Sequence, residues 1–181
     1  VSHAALRRTL PHTDRTPPAL HVMSLPRLAL PALLLAATAI ATPAGAQTRS
    51  VPALTLAGAQ RALAASEAEA RRNNWNMCIV VVDAAGDAMS MSRMDGALPV
   101  LCEVAERKAR TAARYARPSK VWGETISRGG NAILALPDML AVEGGIPITV
   151  NGATVGAVGV SGSASANDAT VAEAGARVVT P

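Results

Sequence analysis

Phenylalanine is absent from the 181-residue chain, and Trp75, Trp122 and Tyr115 are its only aromatics. Stacking on nucleic-acid bases has almost nothing to work with, so a single-strand binder is excluded on composition. The three histidines are His3, His12 and His21, and none follows residue 46. A domain built from the later residues therefore has no Ser-His-Asp or Cys-His catalysis, no histidine zinc site and no histidine-ligated haem. No serine has a lysine three positions on, which removes the S-x-x-K nucleophile. Cys78 and Cys102 are not in C-x-x-C spacing and cannot build a metal site alone. Gly156, Gly159 and Gly162 recur every third residue, which is neither a dinucleotide fingerprint nor a Walker loop, and close backbone packing in a strand is expected there.

The charge is unevenly placed. The net +4 comes from 17 basic and 13 acidic side chains, but Arg7, Arg8, Arg15 and Arg27 face only Asp14 before residue 47. The remainder is nearly neutral, so the basic balance does not imply a nucleic-acid partner. Met23-Ser24-Leu25-Pro26-Arg27 is followed by Leu28 to Ile40 without a charge and then by Ala44-Gly45-Ala46. That order is the pattern of a secretory signal peptide, and the apolar run is too short for a membrane anchor. Three segments are expected: residues 1–22 as an over-extended start, 23–46 as a signal peptide, and 47–181 as one domain, periplasmic or secreted and without a transmembrane anchor after cleavage.

Along that domain, Thr55 can cap a helix through about Arg72, with Leu56, Ala59, Leu63 and Ala70 on one side. Met77 to Val82 is an apolar, β-branched run that reads as a strand covered on both faces. Asp83-Ala84-Ala85-Gly86-Asp87 is a turn, and Ala88 to Arg93 alternates as a second strand. A helix follows, with Pro99 in its first turn, through about Tyr115. Pro118 breaks it, Ser119 can cap a short helix near Val121 to Ile126, and Arg128 to Asn131 is a loop. Asn151-Gly152 between Ile146–Val150 and Ala153–Ser161 is a hairpin signal, because a type I′ turn needs positive φ twice. A last helix runs from Ser163–Asp168 to about Val178, and an extra short strand is expected near Met139 to Glu143. Hairpins in place of βαβ units predict an α+β domain with an antiparallel sheet.

The helix after Pro99 carries the most chemistry. Leu101, Val104, Lys108, Thr111 and Tyr115 share one stripe, and Arg107, Arg110, Arg114 and Arg117 another. Glu103–Arg107 and Glu106–Arg110 are i,i+4 pairs in the favourable order, so the basic stripe reads mainly as a solvated face. Lys108 and Thr111 sit among apolar neighbours, where an ammonium must snorkel or meet an anion. Both are candidate ligand contacts. Met89, Met91 and Met94 have soft thioethers, though alternating methionines on a strand are more often core. Two reduced, partly buried thiols are expected at Cys78 and Cys102, with a disulfide as the alternative.

Asp83-Ala84-Ala85-Gly86-Asp87, Arg93-Met94-Asp95-Gly96-Ala97, Lys108-Ala109-Arg110-Thr111-Ala112, Gly144-Gly145-Ile146-Pro147 and Gly159-Val160-Ser161-Gly162 before Asp168 occur in one order. In that order they resemble the GlcG/HbpS family of haem-binding proteins, from about Leu54 to Val179. The resemblance implies a five-stranded antiparallel sheet flanked by helices, in a profilin-like or PAS-like layout. It also implies homo-oligomers and haem as ligand, with Lys108 and Thr111 on the haem-contacting helix. Lys108, with Arg107 or Arg110, would pair with propionates and Thr111 would face the iron, and Tyr115 and Asp95 complete the candidate ligand set. No residue is assigned as catalytic. Some relatives use a histidine near the domain start, where this chain has none. Iron would then have a weak oxygen ligand such as Thr111 or Tyr115, a Met or Cys ligand, or no strong protein ligand, with Thr111, Met91 and Met94 as metal candidates.

The resulting expectation is an exported haem-binding protein that captures, buffers or senses haem. Alternatives are an enzyme acting on haem or a small hydroxy acid through Asp95, Asp83 and Lys108, or an interaction protein that partners a membrane sensor without a small ligand.

Overall fold

The computed structural model describes residues 48–181, which form one compact unit, Thr48–Pro181. The start segment and signal peptide expected at residues 1–46 lie outside the described residues.

Helix α1 (Leu56–Arg72) starts where Thr55 accepts the Gly58 N–H at 3.1 Å, the expected N-cap. Its buried residues Gly58, Ala59, Ala62, Ser66 and Ala70 are all small. Strands β1 (Cys78–Asp83) and β2 (Ala88–Arg93) form the first hairpin, in which the Asp83 carboxylate accepts the Ala85 and Asp87 N–H groups. Helix α2 (Val100–Arg114) follows, then α3 (Lys120–Ser127) and a 3₁₀ turn at Asn131–Ala135. Strands β3 (Gly145–Val150) and β4 (Ala153–Ser161) make the second hairpin, with Asn151 and Gly152 at φ 51° and 79°. Helix α4 (Ser165–Arg177) ends the fold.

The sheet is antiparallel with order β2-β1-β4-β3. It has four strands where five were expected. The missing strand is residues 139–143, whose polar groups are held by side chains: Thr111 accepts the Leu140 N–H, and Ser119 donates to the Val142 carbonyl. Ser119 is therefore occupied across the loop and makes no side-chain cap to α3.

Ile79, Val81, Ile148, Val158 and Val160 form a core against α1 and α4 on one face. Cys78, Val80, Val82 and Ala157 meet Ala105, Ala109, Ala112 and Ala113 of α2 on the other. The β1 run is covered on both faces, as its continuous apolar character predicts. Alanines let α2 come very close: a Cβ at Gly159 would run into the Ala105 carbonyl oxygen. On the opposite face α1 and α4 also nearly touch, and Ser66 donates to the Val171 carbonyl at 3.0 Å.

Cys78 and Cys102 form a disulfide, with Cα atoms 5.0 Å apart. This corrects the expectation of two reduced thiols. Cys78 does lie in the core strand, but it faces α2, and the first turn of that helix brings Cys102 directly over it.

Candidate functional site

The candidate residues fall into four places, with Arg93 shared by the third and fourth and Arg114 by the second and fourth. The first is inside the protein. Lys108 is 2% exposed, and its Nζ donates to Asp168 Oδ2 at 2.7 Å and to the Val160 carbonyl at 3.0 Å. Asp168 is equally buried and its other oxygen accepts the Ser163 N–H. The ammonium thus meets an anion supplied by α4, so the pair and its extra bonds satisfy charges that burial would otherwise penalise. Thr111 is fully buried, and its hydroxyl donates to the Asp138 carbonyl and accepts the Leu140 N–H, each at 3.0 Å. What the polar atoms of Lys108 and Thr111 touch is protein.

The second place is the C-terminal end of α2. Tyr115 donates its hydroxyl to the Pro137 carbonyl at 2.7 Å and stacks edge-on against Trp122, with ring centroids 5.4 Å apart. Arg117 lies 6.0 Å over the Trp122 ring. Arg114 pairs with Asp138. Below it, Lys120 is held above the usual lysine range, first by its hydrogen bond to Glu143 and then by that carboxylate's charge.

The third place is a polar hollow of about 180 Å³ lined by Arg71, Asn76, Ser92, Arg93, Met94 and Asp95. Asp95 sits here, remote from the Lys108 pair. Met94 turns inward and joins the core, 9% exposed. Gly96 holds φ 84° in this loop and lets it press onto Asn76, whose Nδ2 would be 2.9 Å from a Cβ at that position.

The fourth place is the open side of β2. Helix α2 lies over β4, β1 and β3, and β2, which packs against α1 on its other side, extends beyond it. Met91 is opposite Val80 and Arg93 opposite Cys78, so both side chains share the α2 side of the sheet. Met91 is 59% exposed there. Arg110 donates Nε to the Gly86 carbonyl and pairs with Glu106 at 2.7 Å, while Arg114 Nε reaches the Ala85 carbonyl. These bonds fasten α2 along the β1–β2 turn and make it the wall of a shelf whose floor is β2. Arg93 and Arg107 are exposed and have no ion-pair partner among the described residues. The expected Glu106–Arg110 pair forms, and Glu103–Arg107 does not.

Sequence reasoning had no partner for Lys108, because Asp168 is distant in the chain and its burial depends on the packing of α4. It also passed over Arg93, although the strand alternation places it beside Met91. Among the described residues no group of three His, Cys, Asp or Glu is arranged to hold a metal ion, and no helix is long and apolar enough to cross a membrane.

The family model described as "Haem degrading protein HbpS-like" matches residues 54–177. The chain is 41% identical over 99 residues to protein GlcG of Escherichia coli K12, covering 55% of this chain and 74% of that one. It is 30% identical over 131 residues to a 15.0 kDa protein from the dhaT-dhaS intergenic region of Citrobacter freundii, covering 70% and 92%. Among solved structures, HbpS superimposes with a TM-score of 0.69 at 32% identity, over 75% of this chain and 96% of that one. A haem complex of PduOC shares the fold, with a TM-score of 0.64 at 22% identity over 71% and 96%. Sequence and fold agree over nearly all the described residues, and the chain belongs to the HbpS-like family.

Proposed function

We propose that this protein is an exported haem-binding module that works as a homo-oligomer, with haem seated on the α2 side of β2. The family's description supports haem as the ligand, and so does the haem complex of the PduOC neighbour. The observation that carries the reading is the shelf itself. It offers an exposed apolar side chain, Met91, and unpaired guanidinium groups nearby, Arg93 and Arg107. A planar apolar macrocycle with two carboxylates needs that combination of surfaces.

The residues present fit haem at the surface better than in the interior. Lys108 and Thr111 have their polar atoms committed to Asp168, Val160, Asp138 and Leu140. In this reading they position α2, Arg110 is held by Glu106 and Gly86, and Arg93 and Arg107 supply the contacts to propionates. Export rests on the pattern at residues 23–46; purification from the periplasm should give a chain whose first residue is Gln47.

Titration of the protein with haem should shift the Soret band, and Arg93→Ala with Arg107→Ala should weaken binding without changing the unfolding midpoint. An unshifted band at micromolar haem would overturn the proposal. Because the family description names degradation, the same complex should be followed with a reductant. A stable spectrum favours capture, and steady loss of the haem bands favours turnover.

A further inference from the structure

We infer that the polar hollow between the last turn of α1 and the end of β2 binds a small α-amino acid as its zwitterion, with the carboxylate on Arg71 and Arg93 and the ammonium on Asp95. The inference does not depend on the haem-binding reading. The hollow measures about 180 Å³ and draws its lining from three segments. Arg71 comes from the last turn of α1, Asn76 from the link into β1, and Ser92 to Asp95 from the end of β2 and the loop after it. Backbone bonds fix these segments. The Trp75 N–H donates to the Ala70 carbonyl and the Met94 N–H to the Met77 carbonyl, each at 3.0 Å. Gly96 presses the loop onto Asn76. The site is therefore formed before any ligand arrives, which lowers the cost of binding.

Two guanidinium groups by themselves would accept any oxyanion. Glu67 approaches Arg71 only to 3.6 Å, beyond hydrogen-bond reach, so the N–H donors of Arg71 stay open. Arg93 and Asp95 have no ion-pair partner among the described residues. Asp95 narrows the choice. Its carboxylate repels phosphate or sulfate, accepts without donating, and calls for a cationic donor on the ligand. An α-amino acid carries that ammonium and a carboxylate on one carbon, and Asn76 and Ser92 supply neutral donors and acceptors for the rest. A cavity of about 150 Å³ holds benzene, so this volume suits about six to eight non-hydrogen atoms, the size of alanine or serine.

The test titrates the full chain with L-alanine, L-lactate, propionate and inorganic phosphate, followed by calorimetry and by amide chemical shifts. L-Alanine should bind at millimolar concentration or below and more tightly than lactate, with propionate and phosphate weakest. Its shifts should centre on Asn76, Arg93 and Asp95. Arg71→Gln and Arg93→Gln should each weaken alanine about tenfold. Asp95→Asn should remove the preference for alanine over lactate. All three side chains are exposed, so the variants should keep the wild-type unfolding midpoint. Alanine bound no more tightly than propionate, or phosphate bound as well as alanine, would overturn the amino-acid assignment. No binding of alanine, or shifts centred away from the hollow, would overturn the site.

Discussion

Lys108 and Asp168 meet at 2.7 Å with both side chains 2% exposed, and their bond joins α2 to α4 past the end of β4. The Val160 carbonyl and the Ser163 N–H complete the cluster, so three elements are held at one point. Removing one member leaves a buried charge without its partner. Asp168→Ala and Lys108→Ala should each destabilise the fold by about 3–5 kcal/mol. The double variant should cost clearly less than the sum, because no charge is then stranded. Urea unfolding of the four proteins measures this, and additive losses would show that the pair is not the source.

The Cys78–Cys102 bond closes a segment of 24 positions. By the chain-entropy account a loop of that length stabilises the native state by about 3.5 kcal/mol. Reduction, or Cys78→Ala with Cys102→Ala, should lower the unfolding midpoint accordingly. Thiol titration of the native, unreduced protein should find no free sulfhydryl. One or two reactive thiols would mean that the bond does not form.

Gly159 is where α2 lies against the sheet, and a methyl group there meets the Ala105 carbonyl and the Ala109 nitrogen. Gly159→Ala should destabilise by about 1–3 kcal/mol through overpacking. Gly152→Ala, at the open hairpin turn, should cost about 1 kcal/mol from its φ of 79° alone. Equal effects at the two positions would argue against the close contact.

Glu69 sits at the end of α1, where hydrogen bonds from Arg72 and then Asn73 hold its carboxyl below the usual carboxylate range. Its contribution to stability is present above the unfolded carboxylate value and is lost as pH falls through the lower folded one. Carbon-13 NMR should place its titration below the ordinary carboxylate range. Arg72→Ala should bring it back toward the ordinary value, and an unchanged titration would remove Arg72 as the cause.

Local chemistry was legible in the sequence. Thr55 caps α1, Asn151-Gly152 turns the second hairpin, and the β-branched run after Met77 is the doubly covered strand. The elements needing distant partners were not. Residues 139–143 have apolar character enough for a strand, but Thr111 and Ser119 take their backbone groups first. The disulfide depends on how far along β1 the first turn of α2 settles. The candidate site was recognisable as a set of residue types on one helix. Their sorting into an interior pair, a capped end and an open shelf follows from α2 covering three strands out of four.

The order β2-β1-β4-β3 splits the sheet into two local hairpins that share one ladder, between β1 and β4. Each hairpin can close on the microsecond scale through its own short turn. The shared ladder needs Cys78 to find Ser161 across the whole of α2, α3 and the segment that follows them. Closing so long a loop must precede the burial that rewards it. Before β4 arrives, α2 has no Gly159 to settle on and Lys108 has neither Val160 nor Asp168 to bind. Topology thus ties completion of the central core to its C-terminal third, which holds the partners of β1, α2 and Lys108.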